Sequence, residues 1–225
     1  LTVFSSCEHK DLCFDHDAHA PKSDVHIKAV YEKEWEHTCE GGPDWEQYPA
    51  WESRFGMDYH ELCPDAPDGL RIQVYNEDGT NNVLNVAPEG DIVRMRPGEH
   101  SLLLYNNDTE YIVFDDMNSF ASAKATTRTR TRASYGGNPY MENTVENTVN
   151  APDMLYGNYM ENYTAERKTE TDELPVTMHP LVFTYLVRYE FSHGLEYVAL
   201  ARGALAGMAG AVWLNSGRTS EEAVT

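Results

Sequence analysis

The sequence predicts an all-β protein built from sandwich-type sheets. Three observations carry this: short apolar segments of period two, turn chemistry between them, and a tyrosine-dominated aromatic set. Tyr supplies 14 aromatics against seven Phe and four Trp. Its ring packs on apolar neighbours while its hydroxyl stays wet, which suits sheet surfaces. At 225 residues the chain can bury a real core without disulfide staples, and four cysteines are too few for a disulfide scaffold. Gly and Pro, at 15 and 11, are near average usage, which excludes collagenous and wholly disordered classes.

The elements follow in order. From Asp24, residues Val25, Ile27, Ala29, Tyr31 and Trp35 fall on one face, with His26, Lys28, Glu32, Glu34 and Glu36 on the other, a strand with one wet face. Residues 32–68 hold eleven acidic and two basic side chains, interrupted by Gly41-Gly42-Pro43, Pro49, Pro64 and Pro67. This reads as a long acidic loop with one helical turn around Trp45 to Phe55. Strands resume at Leu70–Tyr75, and Asn76-Glu77-Asp78-Gly79 is turn chemistry leading into Val83–Val86, a hairpin. Further strands are expected at Ile92–Met95, His100–Tyr105 and Tyr111–Phe114, with turns at Pro97-Gly98 and Asn106-Asn107-Asp108.

Thr126-Thr127-Arg128-Thr129-Arg130-Thr131-Arg132 alternates with no apolar residue and therefore has no core face; it reads as an edge strand whose arginines discourage pairing. Residues 135–174 are polar, with Glu-Asn-Thr-Val repeated directly from 142 and Tyr-Met-Glu-Asn present at 140–143 and 159–162, and they read as a surface excursion. From Pro175 a second β pattern opens, in which Phe183, Tyr185, Val187, Tyr189 and Phe191 alternate with more polar residues. The apolar run Leu195–Leu214 contains Arg202, Gly203, Gly207 and Gly210, so two buried strands with a glycine turn fit it better than a membrane helix. A second sandwich needs more strands than residues 175–225 supply, and the second domain is expected to be incomplete.

Function classes narrow by charge and motif. Seventeen basic against 37 acidic residues give a net charge of −20, a surface that repels phosphate, so nucleic acid is not an expected partner. Nucleophile elbows, phosphate loops, dinucleotide fingerprints and His-Glu-x-x-His motifs are absent, and the adjacent Asp115 and Asp116 point to opposite faces of a strand, so no enzyme is expected. The Cys7, His9, Cys13, His16 and His19 cluster lacks two ligand pairs separated by a loop, and residues 32–68 lack a calcium-loop spacing. No metal and no cofactor is expected.

The N-terminus carries the one candidate site. Leu1-Thr2-Val3-Phe4-Ser5-Ser6 is apolar and ends in small residues directly before Cys7, after which the chain turns polar at Glu8-His9-Lys10-Asp11. This is the pattern of the end of a secretory signal followed by a lipidated cysteine, and it resembles the bacterial lipobox, with Phe4 where Leu is usual. Two or three acyl chains on Cys7 would anchor the protein stably, which a single chain would not. Cys13, Cys39 and Cys63 then remain, an odd number whose pairing the spacing leaves open.

Four segments carry a family resemblance: Cys7 followed by Glu8-His9-Lys10-Asp11-Leu12-Cys13; Arg96-Pro97-Gly98-Glu99-His100-Ser101-Leu102-Leu103-Leu104-Tyr105-Asn106; Ala151-Pro152-Asp153-Met154-Leu155-Tyr156-Gly157; and Leu205-Ala206-Gly207-Met208-Ala209-Gly210. Together they resemble Bacteroidetes FimB-like lipoproteins, the anchor or accessory subunits of type V fimbriae. The resemblance implies two transthyretin-like β-sandwich domains, outer-membrane anchoring through lipid on Cys7, exposure at the cell surface, and partnership with other fimbrial subunits, for which strand pairing along a sheet edge is the expected mode. On that reading residues 1–6 end the signal peptide, 7–23 form a lipidated tether, 24–134 the first sandwich, 135–174 an excursion belonging to or linking it, and 175–225 the start of the second. The alternative is a surface glycan-binding lipoprotein whose Trp45, Trp51 and tyrosines stack on sugar rings.

Overall fold

The computed structural model describes residues 23–32, 51–56, 58–62, 64–130, 147–185, 189, 191–199 and 203–225. Strand accounts for 46% of the structure and helix for 6%, so the chain is all-β as the alternation predicts. The strands are β1 (Ser23–Tyr31), β2 (Leu70–Asn76), β3 (Asn81–Val86), β4 (Ile92–Met95), β5 (Gly98–Asn106), β6 (Ile112–Asp115), β7 (Lys124–Thr127), β8 (Tyr156–Ala165), β9 (Asp172–Pro180), β10 (Met208–Ala209), β11 (Ala211–Trp213) and β12 (Ala223–Val224). One helical turn, α1 (Trp51–Phe55), falls inside the span expected for it.

Seven strands form one sheet in the order β3-β2-β5-β8-β9-β1-β4, and β11-β7-β6 form a second, smaller sheet. The β2–β3 hairpin pairs Leu70 with Val86 and Tyr75 with Asn81, and its turn closes where Gly79 takes φ 80. The Asp78 carboxylate accepts from both the amide and the hydroxyl of Thr80, which holds its pKa below the usual carboxylate value.

The large sheet curls on itself. Its β9-β1-β4 half contributes Val25, Ile27, Val93, Met95, Val176 and Met178 to a core that Leu70, Ile72, Val74, Leu102, Leu104 and Tyr156 close from the other half. The hinge between the halves is narrow, because β8 and β9 pair only at Tyr156↔Pro180 and Gly157↔His179. Below that point β9 runs parallel to β1 alone, with Pro175 opposite Lys28. The missing N–H of Pro175 therefore costs little, because β8 has already peeled away.

β5 is buried on both faces. Leu102 and Leu104 face the first core, while Leu103 and Tyr105 face a second one formed with Ile112, Ala123, Ala125, Leu155, Val212 and Leu214. This explains why Leu102–Tyr105 is a continuous apolar run with no alternation. The second core holds one polar knot: the Tyr75 hydroxyl and Gln73 Nε2 both donate to the Met117 carbonyl, at 2.8 and 2.6 Å.

Several expectations change. The excursion assigned to 135–174 is not peripheral where it is described, because β8 lies between β5 and β9. β7 is the centre of the small sheet and not an edge: Thr126 pairs with Val113 on one side and Ala211 on the other. Its inward residues Ala123 and Ala125 supply the core face that Thr126–Arg132 alone lacks. The strand expected over 183–191 is absent among the described residues, and the second β pattern instead begins with β9, already part of the large sheet. Of Leu195–Leu214, Val212 and Leu214 are buried, whereas Leu195, Leu205 and Met208 are exposed. No helix among the described residues is long and apolar enough to cross a membrane.

Alkaline pH should expose the cores. Burial, the largest cause, and then the nearby Asp108 and Glu89 push the Tyr31 hydroxyl up to about 12, and burial raises Tyr75 further. A phenol whose folded pKa is raised contributes stability that is complete below the unfolded value near 10 and is lost as pH climbs through the folded value. Denaturant midpoints are expected to fall steadily from pH 10 to 12, and less steeply in Y31F; an unchanged slope in that variant would remove the assignment.

Candidate assembly surface

The one site residue the sequence nominates, Cys7, lies outside the described residues, as do Cys13, Cys39, Cys63 and Trp45. Trp51 is described and half-buried. Its ring packs against Phe55 at 4.4 Å and edge-on with Tyr59 at 5.1 Å, so its indole serves a local aromatic cluster around α1 more than an open platform for sugars.

A cleft of about 440 Å³ is lined by Asp65, Asp68, Asn106, Asp108, Asp153 and Tyr156 among others. Two of these carboxylates are already engaged. Asp153 Oδ2 accepts from the backbone amides of Glu110, Tyr111 and Ile112, and Asp108 accepts from the Asp68 amide and the Asn106 side chain. They tie the start of β6 and the approach to β2 onto the β8 entry, which is a scaffolding use of charge. Among the described residues no group of His, Cys, Asp and Glu is placed to hold a metal ion. Asp115 accepts from the Thr126 hydroxyl at 3.3 Å and Asp116 pairs with Lys124 at 3.2 Å, so these two neighbours are engaged separately.

Of the four segments that carry the family resemblance, Cys7–Cys13 lies outside the described residues, Leu205–Gly210 exposes Leu205 and Met208, and the other two are structural. Arg96–Asn106 contains β5, the strand buried on both faces, and Ala151–Gly157 delivers the Asp153 amide clasp, Leu155 to one core and Tyr156 to the other.

A feature outside both described cores is a set of apolar side chains that follows β9, beyond Leu181 and Val182, which pack on the second core. Phe183, Tyr185, Tyr189, Phe191, Leu195, Tyr197, Leu205 and Met208 are all exposed, Tyr197 by 85%. Single exposed apolar residues are ordinary, whereas this many within one segment mark a surface that another apolar surface covers. A short 3₁₀ turn, Leu195–Tyr197, is the only regular element among its described residues before β10. The sequence signal was there, since Phe183–Phe191 alternates as a half-buried strand does, but it did not say whether the covering surface lies within the chain.

The sheet edges are the second feature. β3 and β4 bound the large sheet, and each exposes one large apolar side chain on its outer run, Val83 at 50% and Ile92 at 51%.

Comparison with known proteins supplies the family. The model for a domain of unknown function, DUF5119, matches residues 46–225. The chain belongs to this family. Within reach of it is a relative from Bacteroides ovatus named "Putative fimbrium anchoring subunit Fim4B", 25% identical over 175 residues, which cover 77% of this chain and 50% of the relative. The chain thus spans about half the length of the curated relative it matches. This agrees with the resemblance to FimB-like fimbrial lipoproteins. A crystal structure described as "a putative adhesin from Bacteroides ovatus" shares the fold, with a TM-score of 0.58 at 22% identity, covering 99% of this chain and 66% of that one.

Proposed function

We propose that this family member is a lipid-anchored protein of the outer-membrane surface that serves as an anchor or accessory subunit of a type V fimbria, without catalytic activity. The observation that carries the reading is the set of exposed apolar side chains described between Phe183 and Met208, in a chain whose curated relative is named a fimbrium anchoring subunit. The segment lies outside both described cores and carries no strand among its described residues up to β10, so it can fold against, or add as a strand to, a partner subunit. A division into two transthyretin-like domains remains part of this proposal, with β9 and β11 belonging to the sheets already described and not to a separate second domain. The glycan-binding alternative through Trp51 is disfavoured by the packing of that indole on Phe55 and Tyr59.

Affinity in such a contact comes from main-chain hydrogen bonds and apolar burial, so salt should not disrupt it, even though the Debye length falls to about 3 Å at 1 M. The test is affinity isolation of the protein from outer membranes of the source cell, with co-purifying proteins identified. Fimbrial subunits should be retained at 1 M salt and lost in a Tyr185→Ser/Phe191→Ser/Tyr197→Ser variant, whose cores are untouched. Salt-sensitive capture, or capture unchanged in that variant, would overturn the docking segment; recovery of no fimbrial subunit would overturn the function.

Anchoring is tested separately. Acyl chains contribute about 0.8 kcal/mol per buried methylene, so Cys7→Ser should move the protein from the membrane fraction to the soluble one. Unchanged retention, with no lipid mass on the N-terminal peptide, would remove Cys7 from the proposal.

A further inference from the structure

Cations are scarce in this chain, 17 against 37 acidic residues, and many of the described ones are tied to carboxylates. Lys28 meets Glu173, Arg94 meets Asp24, Arg96 meets Asp78, and Lys168 meets Glu166 and Asp172. Arg128, Arg130 and Arg218 behave differently: they are exposed and make no ion pair among the described residues.

These three arginines share one face. Ala123 and Ala125 point into the second core, so alternation along β7 and the extended run that continues its pairing to Arg130 places Lys124, Thr126, Arg128 and Arg130 on the opposite, solvent side. On β11, Val212 and Leu214 point into that core and Trp213 points out, opposite Lys124. The next run of chain pairs with β11 on its far side, Trp213 N–H donating to the Arg218 carbonyl at 2.8 Å and Val212 bridging Thr219, so Arg218 comes up beside Trp213. Tyr111 lies across from Arg128, whose amide donates to the Tyr111 carbonyl at 2.9 Å. The backbone holding Arg128 and Arg130 is fixed on the other side too, Arg130 donating to Thr148 and Asn150 donating to Arg128. Consecutive outward positions on a strand lie about 6.7 Å apart and neighbouring strands about 4.8 Å, so the guanidinium groups stand on a rigid grid.

Among the carboxylates nearby, Asp115 accepts from Thr126 and Asp116 pairs with Lys124, while Glu110 beside Tyr111 and Glu221 and Glu222 after the Arg218 strand are exposed. None of them is paired with the three arginines.

We propose that the solvent face of the β6-β7-β11 sheet binds an anionic polysaccharide, its carboxylate or sulfate groups meeting Arg128, Arg130 and Arg218 and a sugar ring lying on Trp213. Guanidinium forks suit planar or tetrahedral oxyanions, and the half-buried Trp213 on the same face supplies the aromatic surface against which a pyranose stacks. An acidic peptide fits less well. The interior strand β7 has its backbone groups paired on both sides, so an extended chain laid on this face gains no main-chain hydrogen bonds. The proposal is independent of the fimbrial reading, which rests on another part of the surface.

The test is calorimetric titration of the 225-residue chain with dextran sulfate, polygalacturonate, neutral dextran and polyglutamate at about 0.15 M salt, where a Debye length of about 8 Å screens the net charge of −20 but spares contacts made at the arginines themselves. At least one of the two anionic polysaccharides should bind and neutral dextran should not. Arg128→Gln/Arg130→Gln should weaken binding by about tenfold or more, as loss of charge-assisted contacts requires. Arg218→Gln should weaken it less, and Arg167→Gln, an exposed arginine in the β8–β9 connection, should leave it unchanged. Ligand-induced fluorescence change should disappear in Trp213→Phe. Thermal melts verify folding, and the single variant Arg130→Gln stands in if the double variant melts early. Binding of neither polysaccharide, an equal loss in Arg167→Gln, or polyglutamate binding as tightly as the polysaccharides with the Trp213 signal unmoved would overturn the proposal.

Discussion

Gly90→Ala is expected to destabilise the protein by about 3 to 5 kcal/mol, the sum of a strained backbone and an overpacked contact. Gly90 holds φ 101 where the loop before β4 presses against β1, with the Ile27 amide donating to Asp91 and the Ala29 amide donating to Glu89. A Cβ there would overlap the Ile27 carbonyl oxygen and sit 2.8 Å from its carbon, and neither atom can move without breaking the β1 ladder. Gly79→Ala separates the two causes. Gly79 has a similar φ of 80 and nothing within 4 Å of an added Cβ, so it should lose only about 1 kcal/mol. Chemical denaturation of both variants checks this; equal losses would show that crowding at Ile27 is relieved by movement.

Leu104→Ala is expected to cost about 3 to 5 kcal/mol. Leu104 is 1% exposed on β5 and faces the first core, which β1, β4 and β9 close from the opposite half of the sheet, so the cavity left behind has sheet on both sides and collapses poorly. Leu103→Ala, on the other face of the same strand, should cost a similar amount through the second core. The two losses should add to within about 0.5 kcal/mol if the cores are independent, and a large coupling would show that β5 transmits strain between them. By contrast, a Leu205→Ser change, at a side chain 50% exposed, should leave stability within about 0.5 kcal/mol.

Much of the first part of the fold was legible by period and punctuation. Val25 and Ile27 alternate with His26 and Lys28, and Asn76-Glu77-Asp78-Gly79 closes the hairpin that follows Leu70–Tyr75, because a turn glycine and a two-residue repeat act locally. The candidate surface was half legible. The apolar content of Phe183–Met208 is plain in the sequence, but burial is a property of the neighbours, and only the structure shows those side chains exposed.

What the sequence determined by itself is therefore strand type, hairpin register and charge; what the tertiary structure decided is which strands became interior. β8 shows the reason most directly. Tyr156 and Met160 point inward on even positions and Tyr163 and Ala165 on odd ones, because the register with β5 shifts between His100 and Leu102. Glu161 and Asn162 together oppose Ser101, whose hydroxyl donates to the Glu161 carbonyl at 2.6 Å. That bulge resets the alternation in mid-strand, so no single period fits Tyr156–Ala165 and the sequence alone reads it as a polar excursion. β7 fails in the opposite sense. The arginines that follow it argue for an edge, but the strands on either side arrive from residues 112–115 and 211–213, nearly a hundred positions apart, and pairing over such distances leaves no mark in local sequence.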